Sequence, residues 1–473
     1  MKPTIQNISD PAQALKWTIV HAVIGAISAF TPWAFIFYFY LILFFNVKQA
    51  FSVLKKGNII MFTLLVGYLQ SFEQVARVSK SYPFVPSEFA KYISVLFGIY
   101  ALSVSKRKSN PVGIAMFILI TPAIFYDFSG QRGWAEIVNH FLSPFAVSLA
   151  VMLWGGYRPT DLMISRLMRL IWLGFVSVLI SVVVKTPELE TLNFGLEGNA
   201  ATSGGASTNQ ISTILGFGMF LSFYSLYKKE NFSGYKLGDM AIFLLFSLQT
   251  LLTFSRGGMI GGVLAILVMV FGSAVTSSPS EASATVQGKK KKGFPVIYLV
   301  VGVILLLVAF TIVDQVTGGK LSLRYQGETQ GTVGGYAEKD INRFTSGRSG
   351  IVEDDIKVWL DNPVIGGGIG SSPYLRMRHQ TDGGDFYITP HIELSRLLSE
   401  HGILGIGYFI LIVYIGIRTW FRRNQLPSGD VLFALYILAI ATSFHAAMRT
   451  FVTPFLISIC AMSLSKPLSR KSQ

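Results

Sequence analysis

The sequence predicts an all-α polytopic membrane protein of about fourteen transmembrane helices with one large extramembranous loop, and three observations carry that expectation. Of the 473 residues, 51% are hydrophobic and only 14% charged. The mean hydropathy of +0.51 exceeds what the surface of a water-soluble domain tolerates. Apolar runs approaching roughly 20 residues, the length a helix needs to cross the hydrocarbon core, recur from end to end. Lysines and arginines crowd into every second connection between those runs, which is a topology signal.

The runs lie near Trp17–Thr31, Trp33–Val47, Ile59–Phe72, Phe89–Val104, Val112–Tyr126, Ile137–Trp154, Leu167–Val184, Asn209–Tyr227 and Leu237–Thr253. Gly258–Val275, Phe294–Val313, Gly402–Ile417, Val431–His445 and Phe451–Leu464 complete the set. Lys48, Lys55 and Lys56, Lys106 to Lys108, Arg158, Arg166 and Arg169, then Lys228, Lys229 and Lys236 mark alternate connections. Lys289 to Lys292, Arg418, Arg422 and Arg423, and finally Lys466, Arg470 and Lys471 continue the alternation. The positive-inside rule places these segments and both termini in the cytoplasm, and the intervening loops outside. The net charge of +15 is therefore spent on orientation and does not call for nucleic acid. A single cysteine, Cys460, rules out an intramolecular disulfide. The polar stretch Met1 to Lys16 carries no cleavage-site pattern and does not read as a removable signal peptide.

These breaks organise the chain into membrane helices over 1–275, a basic cytoplasmic linker over 276–293, one span over 294–313, a large outer loop over 314–400 and C-terminal helices over 401–473. The linker is rich in Ser, Ala and Lys and reads as a flexible tether. The loop is far longer than a connection requires, and loops of that size carry function. Within it, Ser349–Leu360 reads as a helix stopped by Asp361-Asn362-Pro363, and Pro390–Glu400 as a second helix leading through Gly402 into the next span.

The candidate site residues cluster around this loop. Arg256, in the turn Thr253-Phe254-Ser255-Arg256-Gly257-Gly258, is an outer-boundary cation able to donate paired hydrogen bonds to phosphate, although a lone arginine at a helix end also snorkels. Its glycine neighbours allow close approach of a backbone or ligand. Arg324, Arg343 and Arg348 follow in the loop, Arg348 at the start of a helix, where anions are favoured. The alternative for these arginines is pairing with acidic neighbours such as Glu353, Asp354 or Asp355. His391 stands where the loop returns to the membrane, and a neutral imidazole there can take a proton from a sugar hydroxyl. His21, His140 and His379 read as structural, and His401 and His445 as intermediate because both lie near the outer face. Asn209 opens a span on that face, as substrate contact or helix cap. Arg77, Arg132 and Arg449 are outward charges that either hold lipid or glycan or serve structure. The run Gly366-Gly367-Gly368-Ile369-Gly370 follows a helix and a proline rather than a strand, which argues against a nucleotide loop. Asp382-Gly383-Gly384-Asp385 offers too few ligands for calcium and reads as a turn, so no metal or cofactor is expected.

His391, Ile392, the stretch Glu393 to His401, then Gly402 and Gly405 reproduce a spacing that resembles the O-antigen ligases and O-antigen polymerases. Glu400 falls where that family carries an acidic residue. Ser255-Arg256-Gly257, and Ser346-Gly347-Arg348 through Trp359 and Pro363 to Gly366, Gly368 and Gly370, also resemble it, so the similarity covers about 209–405. The resemblance implies a membrane-embedded, GT-C-like, metal-independent inverting glycosyltransferase at the outer, periplasmic face of the bacterial inner membrane. His391 would be the base and Arg256 and Arg348 the diphosphate ligands. The donor would be an undecaprenyl-diphosphate-linked oligosaccharide and the acceptor a glycan or the lipid A core, among membrane lipids and with a chain-length regulator as a candidate partner. Ile392 stands where ligases carry Asn, Ser or Gln, and the span count exceeds that of ligases, so the expectation leans to a polymerase. Ligase and protein O-oligosaccharyltransferase are the alternatives within the family. A lipid-linked oligosaccharide flippase would hold its charges near the midplane. A sensor or scaffold would be indifferent to loss of His391.

Overall fold

The computed structural model describes residues 2–276, 296–379 and 390–465, and every regular element among them is helical. The basic linker, Asp382-Gly383-Gly384-Asp385 and the C-terminal Lys466, Arg470 and Lys471 lie outside the described residues. Each apolar run read from the sequence falls on a helix. Among the described residues six helices are long and apolar enough to cross a bilayer: Pro11–Phe30, Trp33–Lys55, Trp134–Trp154, Asp161–Lys185, Ile297–Val316 and Ile403–Arg422. Shorter apolar helices include Phe89–Val104, Gly429–Ser443 and Val452–Leu464. The architecture is that of a polytopic membrane protein.

Two of these helices show how similar sequences find different places. Asp161–Lys185 and Ile297–Val316 both contain strongly apolar stretches, yet 83% of that stretch is buried in the first and 17% in the second. The Asp161–Lys185 helix is wrapped by protein, packing against Ala14–Phe30, Ile60–Gln70 and Thr208–Lys228. Ile297–Val316 leaves Ile297, Val300, Ile304, Leu307 and Ile312 exposed, an apolar face of the kind a membrane-spanning helix presents.

The helices that build the site approach one another through glycine. Thr208–Lys228 lies so close to Arg256–Thr276 that a Cβ on Gly258 would sit 1.9 Å from the Ser212 carbonyl oxygen, and one on Gly216 would sit 2.0 Å from the Gly258 carbonyl oxygen. Gly258 and Gly262 are four residues apart and present a small face to the partner helix, as close-packed membrane helices require. That contact sets Asn209, at the start of one helix, beside Ser255 and Arg256, at the start of the other.

The large loop folds over this end of the bundle as short helices, among them Lys320–Tyr325, Arg348–Asp361, Ser372–Met377 and Glu393–His401. The last begins later than the expected Pro390. Ile392 is extended and caps it, so His391 sits on the irregular segment before the helix, not within it. The glycine run is a backbone clamp. Gly367 N–H donates to Ser399 O (2.8 Å) and Gly368 N–H to Glu400 O (3.1 Å), while Phe128 N–H donates to Gly367 O (3.0 Å). At Gly366 and Gly368, φ is +74° and +100°, and a Cβ would strike the Glu400–Gly402 backbone and the Tyr126 carbonyl, so only glycine fits. Gly258→Val is expected to destabilise the bundle by at least about 1–3 kcal/mol through overpacking, read as a lower thermal midpoint in detergent; an unchanged midpoint would contradict this helix contact.

Candidate active site

Where the loop meets the bundle, a cavity of about 600 Å³ is lined by Asn209, Ser255, Arg256, Arg324, Arg343, Ser346, Arg348 and His391, with Glu197, Thr208, Gln330 and Asn342 among the other lining residues. Six of the sequence-predicted residues thus converge: His391, all four arginines of the anion set, and Asn209.

Three of these arginines, Arg256, Arg324 and Arg348, are held by neutral acceptors. Arg256 donates from Nη1 to the Arg324 carbonyl (3.3 Å), from Nη2 to the Phe344 carbonyl and to Ser346 Oγ (3.3 Å), and its guanidinium lies 5.2 Å from the Phe344 ring centroid. Arg324 donates from Nε to the Phe254 carbonyl (3.4 Å) and from Nη2 to the same Ser346 Oγ (3.0 Å). Ser346 can serve both because the chain turns there with φ +59°, followed by Gly347 at +81°. Arg348 reaches the Thr345 carbonyl (3.5 Å) and His445 Nδ1 (3.3 Å), and its Nε is buried without a hydrogen-bond partner. Among the described residues none of Arg256, Arg324 and Arg348 forms an ion pair, whereas Arg343 at the rim pairs with Asp340 at 3.5 Å.

The electrostatics follow. Burial, then the charges of Arg256 and Arg348, bring Arg324 down to about 10. Arg348 is lowered by burial and then by Arg256. Three cations that weaken one another in a partly dry cavity create a strong preference for an anion. Burial, followed by Arg449, Arg348 and Arg376, lowers His391 to about 4, so its imidazole is neutral at pH 7 and able to accept a proton. Arg449 thus acts on His391 through its field. It does not line the main cavity but a small neighbouring one with His140, Glu393 and Arg396.

The other predicted residues have structural partners. Glu400 is fully buried, accepting from His140 Nδ1 (2.6 Å), Arg396 Nη1 (2.7 Å) and Ser372 Oγ (3.0 Å). Burial alone would raise its carboxyl, but His140 and Arg396 hold it well below the usual range. Arg396 also forks onto Glu393, whose other role is to accept from the Met448 N–H (3.1 Å). Arg132 binds the carbonyls of Ala123 (3.1 Å), Ile124 (2.8 Å) and Ile369 (2.9 Å), fastening the glycine run to the 122–128 segment. Arg77 is ion-paired to Glu73 and Glu88 at 3.2 Å. Asn209 is not the helix cap, a position taken by Ser207; its Oδ1 accepts from Ser255 Oγ (2.9 Å). His445, intermediate by its sequence position near the outer face, has a place beside these residues. It lies against Arg348, Ser212, Ser255 and Asn209, and only its position near the outer face hinted at that.

Unneutralised arginines beside a neutral histidine, at the loop-bearing end of an apolar helical bundle, define a protein that can take an anionic headgroup and accept a proton next to it. Residues 241–410 match the O-antigen ligase family model, and the match supports assigning the chain to the O-antigen ligase and polymerase family. The matched stretch contains the four arginines and His391 but neither Asn209 nor His445. No curated protein matches the chain. Arg396→Met, which strands Glu393 and Glu400 in the interior, is expected to cost about 3–5 kcal/mol. The exposed-rim change Arg343→Ala should cost no more than about 1 kcal/mol; thermal unfolding of the two variants side by side checks the contrast.

Proposed function

We propose that this protein is a glycosyltransferase that moves an undecaprenyl-diphosphate-linked glycan onto an acceptor sugar hydroxyl at the outer face of the bacterial inner membrane. The observation that carries this reading is the convergence of Arg256, Arg324 and Arg348, free of carboxylate partners among the described residues, on the cavity that His391 also lines. The family match supports it, since O-antigen ligases and polymerases use lipid-linked glycan donors and glycan acceptors.

In the proposed reaction the donor's diphosphate lies against the arginines. The acceptor oxygen attacks the anomeric carbon from the face opposite the diphosphate, the bond from that carbon to the phosphate oxygen breaks, and His391 takes the acceptor proton. The anomeric configuration inverts and undecaprenyl diphosphate leaves. Arginine hydrogen bonds and charge are worth most as the leaving oxygens gain charge, because the cavity is partly desolvated and its donors are already aimed. His391 contributes only while neutral. We favour a growing lipid-linked glycan as acceptor, hence a polymerase, on the ground that Ile392 replaces the polar residue of ligases beside the base. The lipid A core is the alternative acceptor.

Purified protein, native lipid-linked repeat unit and detergent should yield a ladder of lengthening glycans. His391→Ala is expected to slow product formation by about 10²–10⁴-fold, and Arg256→Ala by about 10²–10³-fold. A ladder persisting in His391→Ala would remove the base. Product appearing only when a lipid A core is supplied would make the protein a ligase, and none with any acceptor would return a flippase to first place. The pH profile is a separate check. A lowered histidine stays neutral until the pH approaches its folded value, so the acid limb of kcat/KM should fall near pH 4 and not near the model-peptide value of about 6.5. An acid limb at 6 to 7 would contradict the assignment of His391 as base.

A further inference from the structure

We propose that His445 is a positioning residue for diphosphate binding: held neutral in one tautomer on the face of Gly257, it aims the Arg348 guanidinium into the cavity.

The inference rests on the reading of Arg348 as a diphosphate ligand. His445 follows the Gly429–Ser443 helix, is 3% exposed, and lies outside the stretch that matches the family. Its Nδ1 meets Arg348 Nη2 at 3.3 Å. A guanidinium can only donate, so Nδ1 must accept and must carry no proton. The other nitrogen, Nε2, lies 3.1 Å from the Asn209 carbonyl, which can only accept, so Nε2 carries the proton. Ser212 Oγ (3.2 Å) and Ser255 Oγ (3.4 Å) flank the same nitrogen, and Ser255 already donates its own hydrogen to Asn209 Oδ1 (2.9 Å). Both partners therefore specify the neutral Nε2–H form, leaving no freedom of tautomer.

The seat is built for this ring. A Cβ on Gly257 would fall 2.2 Å from His445 Cγ and 2.3 Å from its Nδ1, so any larger residue would push the ring off Arg348. Gly257 is the residue after Arg256, and the ring thus joins two diphosphate arginines from separate segments. Among the described residues Arg348 has one other acceptor, the Thr345 carbonyl at 3.5 Å, and its Nε has none. Without His445 little fixes the direction of its head group.

The test is a double-mutant cycle on the full-length protein in detergent, titrated with farnesyl diphosphate as a soluble isoprenyl diphosphate. His445→Ala should weaken binding roughly 10–100-fold, which is what losing one hydrogen bond to a charged group converts to. Gly257→Ala, which displaces the ring while retaining it, should do the same. His445→Asn, whose Oδ1 can replace Nδ1 as acceptor, should recover most of the loss. In the Arg348→Ala background neither His445→Ala nor Gly257→Ala should weaken binding further. Equal losses in both backgrounds, or wild-type affinity in His445→Ala, would overturn the proposal while leaving the glycosyltransferase reading intact. Failure of the wild type itself to bind the diphosphate would overturn both.

Discussion

The organisation of the site depends on one constraint: three arginines share a cavity with no ion pair to a carboxylate among the described residues, the Glu197 carboxylate on the same cavity acting on Arg324 only through its field. Like charges in a partly desolvated space repel, and burying an unpaired charge is expensive unless its hydrogen bonds are met. The protein meets that demand with dipoles. The carbonyls of Arg324, Phe344, Phe254 and Thr345, the Ser346 hydroxyl and the His445 ring accept from the guanidinium groups. A carboxylate would hold each arginine more firmly but would also occupy the place of an anionic ligand. Neutral acceptors fix direction and leave the charge available.

The same loop shows the opposite solution a few residues away. In the Glu393–His401 helix, Arg396 is clasped by Glu393 and Glu400, and Glu400 is bound again by His140 and Ser372. That network is closed, and it does mechanical work. Glu393 accepts from the Met448 N–H and Glu73 from the Phe451 N–H (2.7 Å), so buried carboxylates pin both ends of the segment that follows His445. With the glycine clamp fastening Ser399 and Glu400 to the 122–128 segment, the helix that follows His391 is anchored by groups whose bonding is complete. Open charges in the cavity are tolerable because the surrounding frame is closed.

Much of this was legible in the sequence, for reasons that differ by residue. Arginines in a turn or loop between apolar runs have no apolar reason to be there, so Arg256, Arg324, Arg343, Arg348 and His391 stood out and the structure brings them to one cavity. Arg77, Arg132 and Glu400 read from sequence only as supporting residues; Arg77 has near partners in Glu73 and Glu88, but Ile369 for Arg132 and His140 for Glu400 are each more than two hundred residues away. No local pattern reports such a contact. Hydropathy likewise located the helices but could not rank them. Asp161–Lys185 and Ile297–Val316 both have strongly apolar 18-residue stretches, and only packing decides that one is central and the other exposed.

His445 was the hardest to see, and the reason is instructive. A histidine just past a membrane helix reads as an interface residue, and nothing within several positions of it suggests a ligand site. Its meaning comes from Gly257, almost two hundred residues earlier, whose missing side chain makes the hollow it fills. The cavity draws on five separate stretches, around Glu197, Asn209, Arg256, Arg324 to Arg348 and His391, with His445 behind Arg348, and the helices that carry Asn209 and Arg256 can meet only because Gly216 and Gly258 let their backbones touch. The glycines of the Ser255-Arg256-Gly257-Gly258 turn therefore serve two approaches at once. Gly258 admits the neighbouring helix and Gly257 admits the ring, and together they turn a short polar sequence at a helix start into the floor of an anion site.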